Sequence, residues 1–560
     1  MYSYYGMYIT KQTTAHNSPI RATIKPMASH PQRPSPRILT LALITLTTLA
    51  AQAQGPAPTA SIDAGRIQGL TLATLPHGAA FLGIPYAAQP IGDLRWRAPQ
   101  PTPAWSTLKP TTAYGPACPQ TPSGWLPEML GETSMLTSEA CLYLNVWTPH
   151  LSPAAHLPVL VWIHGGGNVE GSGQWPPLGE TLARRGIVVV SINYRLGIFG
   201  FYATSQLSAE SPNHVSGNYG QLDQLAALAW VQKNIAQFGG DPHQITVAGQ
   251  SSGSEDICNL IASPLSTGLF QRAIIESGTC VDSIFPTSAE IEASNNHFAD
   301  HLGPNNQPAS LAQLRAIPAQ QLLDAAAHSD QVDFEPNIDG HFLPEQPAAT
   351  FALGHQNPLP ILVGSTENEV SIFASPLVGA TSHRPQTIAA YHQFLNRKFG
   401  PLAPQVFANY PVTTDADVLR VFTTMYSDFD FGFSARLLAA ETARIHQPVY
   451  LYHFTYAGQG PFAALGAFHA EELMFLSQHY WTSWIKTPDD ARVSNALIGY
   501  WVHFIQTGNP DRPGLPHWPT FDPAQNLTQI LGRTITTTPD PRSQLFTPFQ
   551  QYIDSRLPPH

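Results

Sequence analysis

Six short apolar runs punctuate the chain: "LPVLVWI" (157–163), "GIVVVSIN" (186–193), "QITVAG" (244–249), "RAIIES" (272–277), "PLPILVG" (358–364) and "PVYLYHF" (448–454). They are rich in β-branched and aromatic residues, and most of them close on Gly, Asn or Ser. Continuous apolar runs of this length predict strands buried on both faces, as in a parallel sheet. Between the second and third runs, "QLDQLAALAWVQKNIAQF" (221–238) sets Leu222, Leu225, Leu228, Val231 and Ile235 on one helical face. Strands alternating with helices predict an α/β architecture, with helices on both sides of a mostly parallel central sheet. The segment 281–357, rich in Ala, Pro and Asn, separates two predicted strands and reads as a helical insertion or cap. No internal repeat interrupts the pattern, so residues 62–556 are read as one catalytic domain, after a short linker at 54–61.

The pattern is different at the N-terminus. Arg33 and Arg37 precede the apolar run "ILTLALITLTTLA", and Ala51-Gln52-Ala53 offers a small-x-small cleavage site. Residues 1–53 therefore read as a signal peptide with an upstream extension, Met27 being a start that gives a leader of ordinary length. The apolar run is short for a membrane span, and no other run reaches spanning length. The expected product is an exported protein, periplasmic or extracellular, without stable membrane insertion.

Composition narrows the class of partner. The 560-residue chain has a formal net charge of −11, and residues 1–53 contribute only basic groups (Lys11, Arg21, Lys25, Arg33, Arg37). The mature chain is thus still more acidic, which argues against nucleic acid and anionic lipid as partners. Cys118, Cys141, Cys258 and Cys280 are the four cysteines, and three pairings are open to them. Cys118–Cys141 closes a loop of moderate length and is the first choice, which leaves Cys258–Cys280.

Chemistry enters at "AGQSSGS" (248–254), a G-x-S-x-G directly after an apolar run and directly before the helical "SGSEDICNLIAS". Strand, tight turn and helix form the context in which such a serine is an exposed nucleophile, Ser251. The helix starting behind it points N–H groups and a positive dipole end toward the same place. A serine hydroxyl needs a base, and the base needs an orienting acid. In chain order the acid comes next, with Glu367 and Glu369 in "STENEV" after the fifth run. His469 follows, in the Gly/Ala-rich loop "TYAGQGPFAALGAFHAEELMF" after the sixth. His453 lies inside a strand and His503 inside a helix, where packing or surface roles are expected. Upstream, "HGGG" (164–167) follows the first run, and a glycine run lets backbone N–H groups converge on a developing oxyanion. There is no H-E-x-x-H, no C-x-x-C and no phosphate-binding G-x-x-x-x-G-K, so neither a metal nor an organic cofactor is expected.

These segments, with "FLGIPYAAQPIGDLRWRAPQP" (81–101), "SEACLYLNVWTP" (138–149), "NYRLGIFGF" (193–201), "IDGHFLP" (338–344) and "WVHFIQTGNP" (501–510), resemble the type-B carboxylesterase/cholinesterase family of α/β-hydrolases, in its bacterial para-nitrobenzyl-esterase-like form. The likeness runs over nearly all of the mature chain, in family order. It implies an α/β-hydrolase fold with helical insertions forming a cap or gorge, and a secreted serine esterase working through an acyl-serine intermediate on a small-molecule ester. By this resemblance Ser251 is the nucleophile, His469 the general base and Glu369 the acid. Gly166, Gly167 and Ser252 form the oxyanion hole, and Ser277 is a supporting serine. The family's first disulfide aligns with Cys118–Cys141, whereas Cys258 and Cys280 do not fall where its second usually lies.

Two departures matter. The family's usual G-E-S-A-G becomes G-Q-S-S-G, so Gln250 removes a negative charge beside the nucleophile and Ser252 keeps only the backbone donor in common. Trp125, in the 119–135 loop with Leu126, Met129 and Leu130, lies too near Cys118 to match the choline-stacking tryptophan of cholinesterases. A choline ester is not expected. The competing readings are a lipase or specialised acyl hydrolase (amide, polyester or toxin ester), and a non-catalytic adhesion protein of the same family, which typically lacks a triad member.

Overall fold

The computed structural model describes residues 57–121, 135–329, 334–375, 384–460, 462–480 and 484–557. The leader, and most of the 119–135 loop with Trp125, Leu126, Met129 and Leu130, lie outside the described residues. An eleven-stranded sheet organises the described chain. From one edge its strands are Ile535–Pro539, Leu527–Leu531, Val449–Phe454, Ile361–Thr366, Arg272–Glu276, Gly240–Gln250, Leu157–Ile163, Val188–Ile192, Tyr143–Thr148, Ala79–Pro85 and Leu70–Thr71. The run from Leu527–Leu531 to Val188–Ile192 is parallel throughout, and the pairings outside it are antiparallel.

All six predicted runs lie in the parallel block, and the reason is visible in their packing. Within Leu157–Ile163, Val159, Val161 and Ile163 join one core, while Leu160 and Trp162 join a second core on the other face. Each face is covered. Helices Tyr219–Asn234, Ser252–Ala262 and Ser434–Arg444 pack on the first, and Leu178–Ala183 and Pro488–Thr507 on the second. A strand buried on both sides has no polar alternation to display.

Helix Tyr219–Asn234 is less amphipathic than its spacing predicts, because Gln221, Asp223 and Gln224 are also buried. Asp223 receives the Arg195 guanidinium through two bonds of 2.7 and 2.8 Å and its backbone N–H through a third of 3.1 Å, both side chains being nearly inaccessible. The two glutamines bond Asp256, as described below.

The 281–357 segment is helical, with helices Ser288–Asn295, Leu311–Ala316, Ala319–Ala327 and Pro347–Leu353. A second insertion, not anticipated from the sequence, fills the connection between strands Ile361–Thr366 and Val449–Phe454. It includes helices Ile388–Phe399, Ala403–Asn409 and Asp415–Ser427, then a π-helical turn at Asp428–Phe433 that runs into Ser434–Arg444. Both cysteine pairs form disulfides, Cys118–Cys141 with Cα atoms 5.0 Å apart and Cys258–Cys280 with 5.5 Å. The second ties helix Ser252–Ala262 to the loop after strand Arg272–Glu276. Among the described residues no helix is long and apolar enough to cross a membrane.

Candidate active site

The parallel strands end at one edge of the sheet, and the loops leaving that edge carry the residues singled out by sequence. Strand Gly240–Gln250 turns abruptly into helix Ser252–Ala262 at Ser251, whose φ of 59° and ψ of −134° lie where non-glycine residues are rarely found. Such a conformation costs on the order of 1–3 kcal/mol and persists only where the surroundings enforce it. Here the flanking glycines permit it. A Cβ on Gly253 would lie 2.3 Å from the Ile163 carbonyl oxygen, and one on Gly249 would lie 2.7 Å from Gly253 itself. The turn is pinned from the next strand, since Ser251 N–H donates to the Glu276 carbonyl at 2.8 Å.

His469 and Glu369 meet, although 100 residues separate them. Glu369 Oε2 lies 2.5 Å from His469 Nδ1, and the two side chains are 0% and 3% exposed. The other Glu369 oxygen accepts the Thr366 N–H at 2.6 Å. Glu367 is held differently, exposed, its backbone N–H donating to Phe454 O. Phe373 and Phe431 flank the imidazole with ring centroids 5.1 and 5.3 Å away. His469 Nε2 faces the elbow, but its contact there is the Gln250 amide, 3.0 Å from Nε2 to Nε2. Ser251 Oγ makes no hydrogen bond among the described residues. With Nδ1–H donated to the carboxylate, Nε2 carries the lone pair, and the Gln250 N–H donates to it.

Gly165, Gly166 and Gly167 arch over the same point. A Cβ on Gly165 would lie 2.5 Å from Gln250 O and 3.0 Å from Ser251 Cβ, so the loop presses directly on the elbow. Gly166 and Gly167 have φ of 113° and 65°, and among the described residues their N–H groups make no hydrogen bond. The Ser252 N–H, first in its helix, has no intrahelical partner by construction. A buried network locks this loop to the elbow helix. Asn168 N–H donates to Ser252 Oγ at 3.2 Å, and Asn168 Nδ2 to Asp256 Oδ1 at 3.2 Å. Gln221 and Gln224 each donate to Asp256 at 2.6 Å. Burial pushes the Asp256 carboxyl up to about 7, against the pull of these three donors. Asp256 carries no motif in the sequence; an acid in a helix whose other side is core is the signal that marks it.

Ser277 ends strand Arg272–Glu276 with a φ of 54° and is fully buried. Its N–H donates to Gly364 O, while its Oγ has no hydrogen-bond partner among the described residues. Behind the elbow, Trp501 donates to Glu276 at 2.8 Å, and burial pushes this carboxyl up to about 8. His453 is buried in its strand and pushed down to about 3, chiefly by burial; His503 bonds Asn509 O at 2.8 Å from its helix. In front of Ser251 opens a cavity of about 510 Å³, walled by the loop after Ser277, both insertions and Tyr552 near the C-terminus. Among the described residues no group of three or more His, Cys, Asp or Glu side chains is placed to hold a metal ion.

Comparison with known proteins agrees with this architecture. The model of the carboxylesterase family matches residues 56–545. The chain is 36% identical over 478 residues to a para-nitrobenzyl esterase of Bacillus subtilis (strain 168), covering 82% of this chain and 93% of that one. It is 34% identical over 493 residues to a fumonisin B1 esterase of Sphingopyxis macrogoltabida, covering 85% and 87%. Among solved structures, a thermophilic para-nitrobenzyl esterase superposes with a TM-score of 0.76 at 33% identity, over 88% of this chain and all of that one. The fold is thus that of the α/β-hydrolases, and the chain belongs to the carboxylesterase family, as an ester-cleaving serine hydrolase of type B.

Proposed function

We propose that Ser251 is the nucleophile, His469 the general base and Glu369 the acid that orients it. Ser251 Oγ attacks the ester carbonyl as His469 Nε2 takes its proton. The oxyanion is received by the N–H groups of Gly166, Gly167 and Ser252. His469 then protonates the leaving alcohol, and water repeats the sequence on the acyl-serine to free the acid. For this the Gln250 amide must yield Nε2 to Ser251, a small rotation of one side chain. The observation that carries the reading is the 2.5 Å contact of Glu369 with His469 Nδ1, whose opposite nitrogen faces the residue next to Ser251.

Export is part of the proposal. It is supported by the leader-like N-terminus and by two disulfides, bonds that persist in oxidising compartments. The physiological ester is approached with a panel of short- and long-chain p-nitrophenyl esters, an emulsified triglyceride and fumonisin B1, for which one relative is named. The expected result is hydrolysis of short acyl esters without interfacial activation. Ser251→Ala should lower kcat by roughly four to six orders of magnitude with the fold unchanged by circular dichroism. Full activity in Ser251→Ala would refute the assignment.

A further inference from the structure

The cavity in front of Ser251 has an unusual charge. Glu255, Asp282, Glu335 and Asp430 line it, against Lys398 and Arg556; Glu290 lines it too, but is tied into a helix cap with Thr287. Three of these carboxylates come from different walls, each attached to a catalytic element. Glu255 lies one helical turn beyond Ser251. Asp282 follows Cys280, which is tethered to the elbow helix by its disulfide. Asp430 sits in the π turn beside Phe431, whose ring packs on His469.

Asp282 and Asp430 form no ion pair among the described residues. Lys398 forms no ion pair among the described residues, and its Nζ lies over the rings of Phe429 and Tyr552, at 5.0 and 5.9 Å. Arg556 is drawn to the Tyr552 hydroxyl and ring. The Asp430 carboxylate accepts no hydrogen bond among the described residues. Fully buried Ser277, lining the same cavity, keeps an Oγ without a partner among them. Burial and mutual repulsion push Glu255 and Asp282 well above the usual carboxylate range. Burial, with Glu369 adding and Lys398 opposing, puts Asp430 at about 6. A guest cation would relieve this crowding.

We propose that the esters this site prefers carry a protonated amine, received in the cavity by Glu255, Asp282 and Asp430. The proposal rests on the reading of Ser251 as the nucleophile.

A matched pair of substrates tests it. 2-(Dimethylamino)ethyl butyrate and 3-methylbutyl butyrate have the same acyl group and nearly the same shape, and differ in one ammonium. Their kcat/KM values are compared at pH 7.5 and low salt, each divided by its hydroxide-catalysed rate to remove leaving-group effects. The expected ratio favours the amine ester by about tenfold or more. In Asp282→Asn and in Asp430→Asn it is expected to fall by about fivefold or more. A wild-type ratio at or below one overturns the proposal, even if neither variant folds, and so does an unchanged ratio in both folded variants. If neither ester is cleaved, or both are cleaved by Ser251→Ala, it is the assignment of the nucleophile that fails instead.

Discussion

Glu276 shows how much of this site is decided by single buried side chains. Its carbonyl holds the Ser251 N–H, and its carboxyl, 0% exposed, takes one bond from Trp501 while its second oxygen has no partner among the described residues. Burial raises this carboxyl from 4.5 to about 8. The folded protein therefore holds a proton that the unfolded chain releases above about 4.5. The associated stability is present at low pH and is lost as pH rises through that window. Glu276→Gln keeps the shape and the acceptor for Trp501 without the charge. Its melting temperature is expected to match wild type near pH 5 and to exceed it increasingly toward pH 8.5. A constant gap across that range, read by differential scanning fluorimetry, would contradict the account. None of this was legible in "RAIIES", where Glu276 looks like the end of a strand. Ser251 was legible, because the glycines its strained turn requires are written on either side of it. The choice of Glu369 over Glu367 came from the family pattern; of the two, Glu369 is the one in contact with His469.

At the scale of elements, the strands were readable because burial on both faces leaves a continuous apolar signature. The helix at 219–234 was readable in place but not in character. Its polar side chains Gln221 and Gln224 face inward to serve Asp256, and local sequence cannot announce a partner in another element. The second insertion escaped for a related reason. Its π turn brings Asp430 and Phe431 to the site from a stretch, "DFDFGF", that carries no motif. The glycine loop proposed to receive the oxyanion is the element most open to test. A Cβ on Gly166 would lie 2.2 Å from the Glu170 carbonyl oxygen, at a φ of 113°. Gly166→Ala must therefore move the loop and misdirect its donors. The expected loss in kcat is roughly a hundredfold or more, with KM changed far less. Unaltered kcat in a folded Gly166→Ala protein would remove this loop from the mechanism.

For the whole molecule, the sheet edge gathers residues from position 165 to position 469, and the disulfides help to hold its surroundings. Cys118–Cys141 spans 23 residues, so removing it with the Cys118→Ser/Cys141→Ser double variant is expected to cost about 3 kcal/mol. That loss reads as a lower urea midpoint; an unchanged midpoint would mean the bond is not formed in the native protein. The second pairing shows where likeness to a family stops informing. Cys258–Cys280 has no counterpart in the family's usual second position, yet its two Cα atoms lie at bonding distance because both belong to the elbow's support. The chemistry these elements converge on is tested most directly by trapping the intermediate. The enzyme is mixed with excess p-nitrophenyl butyrate, quenched in acid within the first turnovers, digested and analysed by mass spectrometry. The account expects one butyryl group per chain, on Ser251, and none on Ser251→Ala. A butyryl group on any other residue, or turnover with no acylated residue at all, would contradict it.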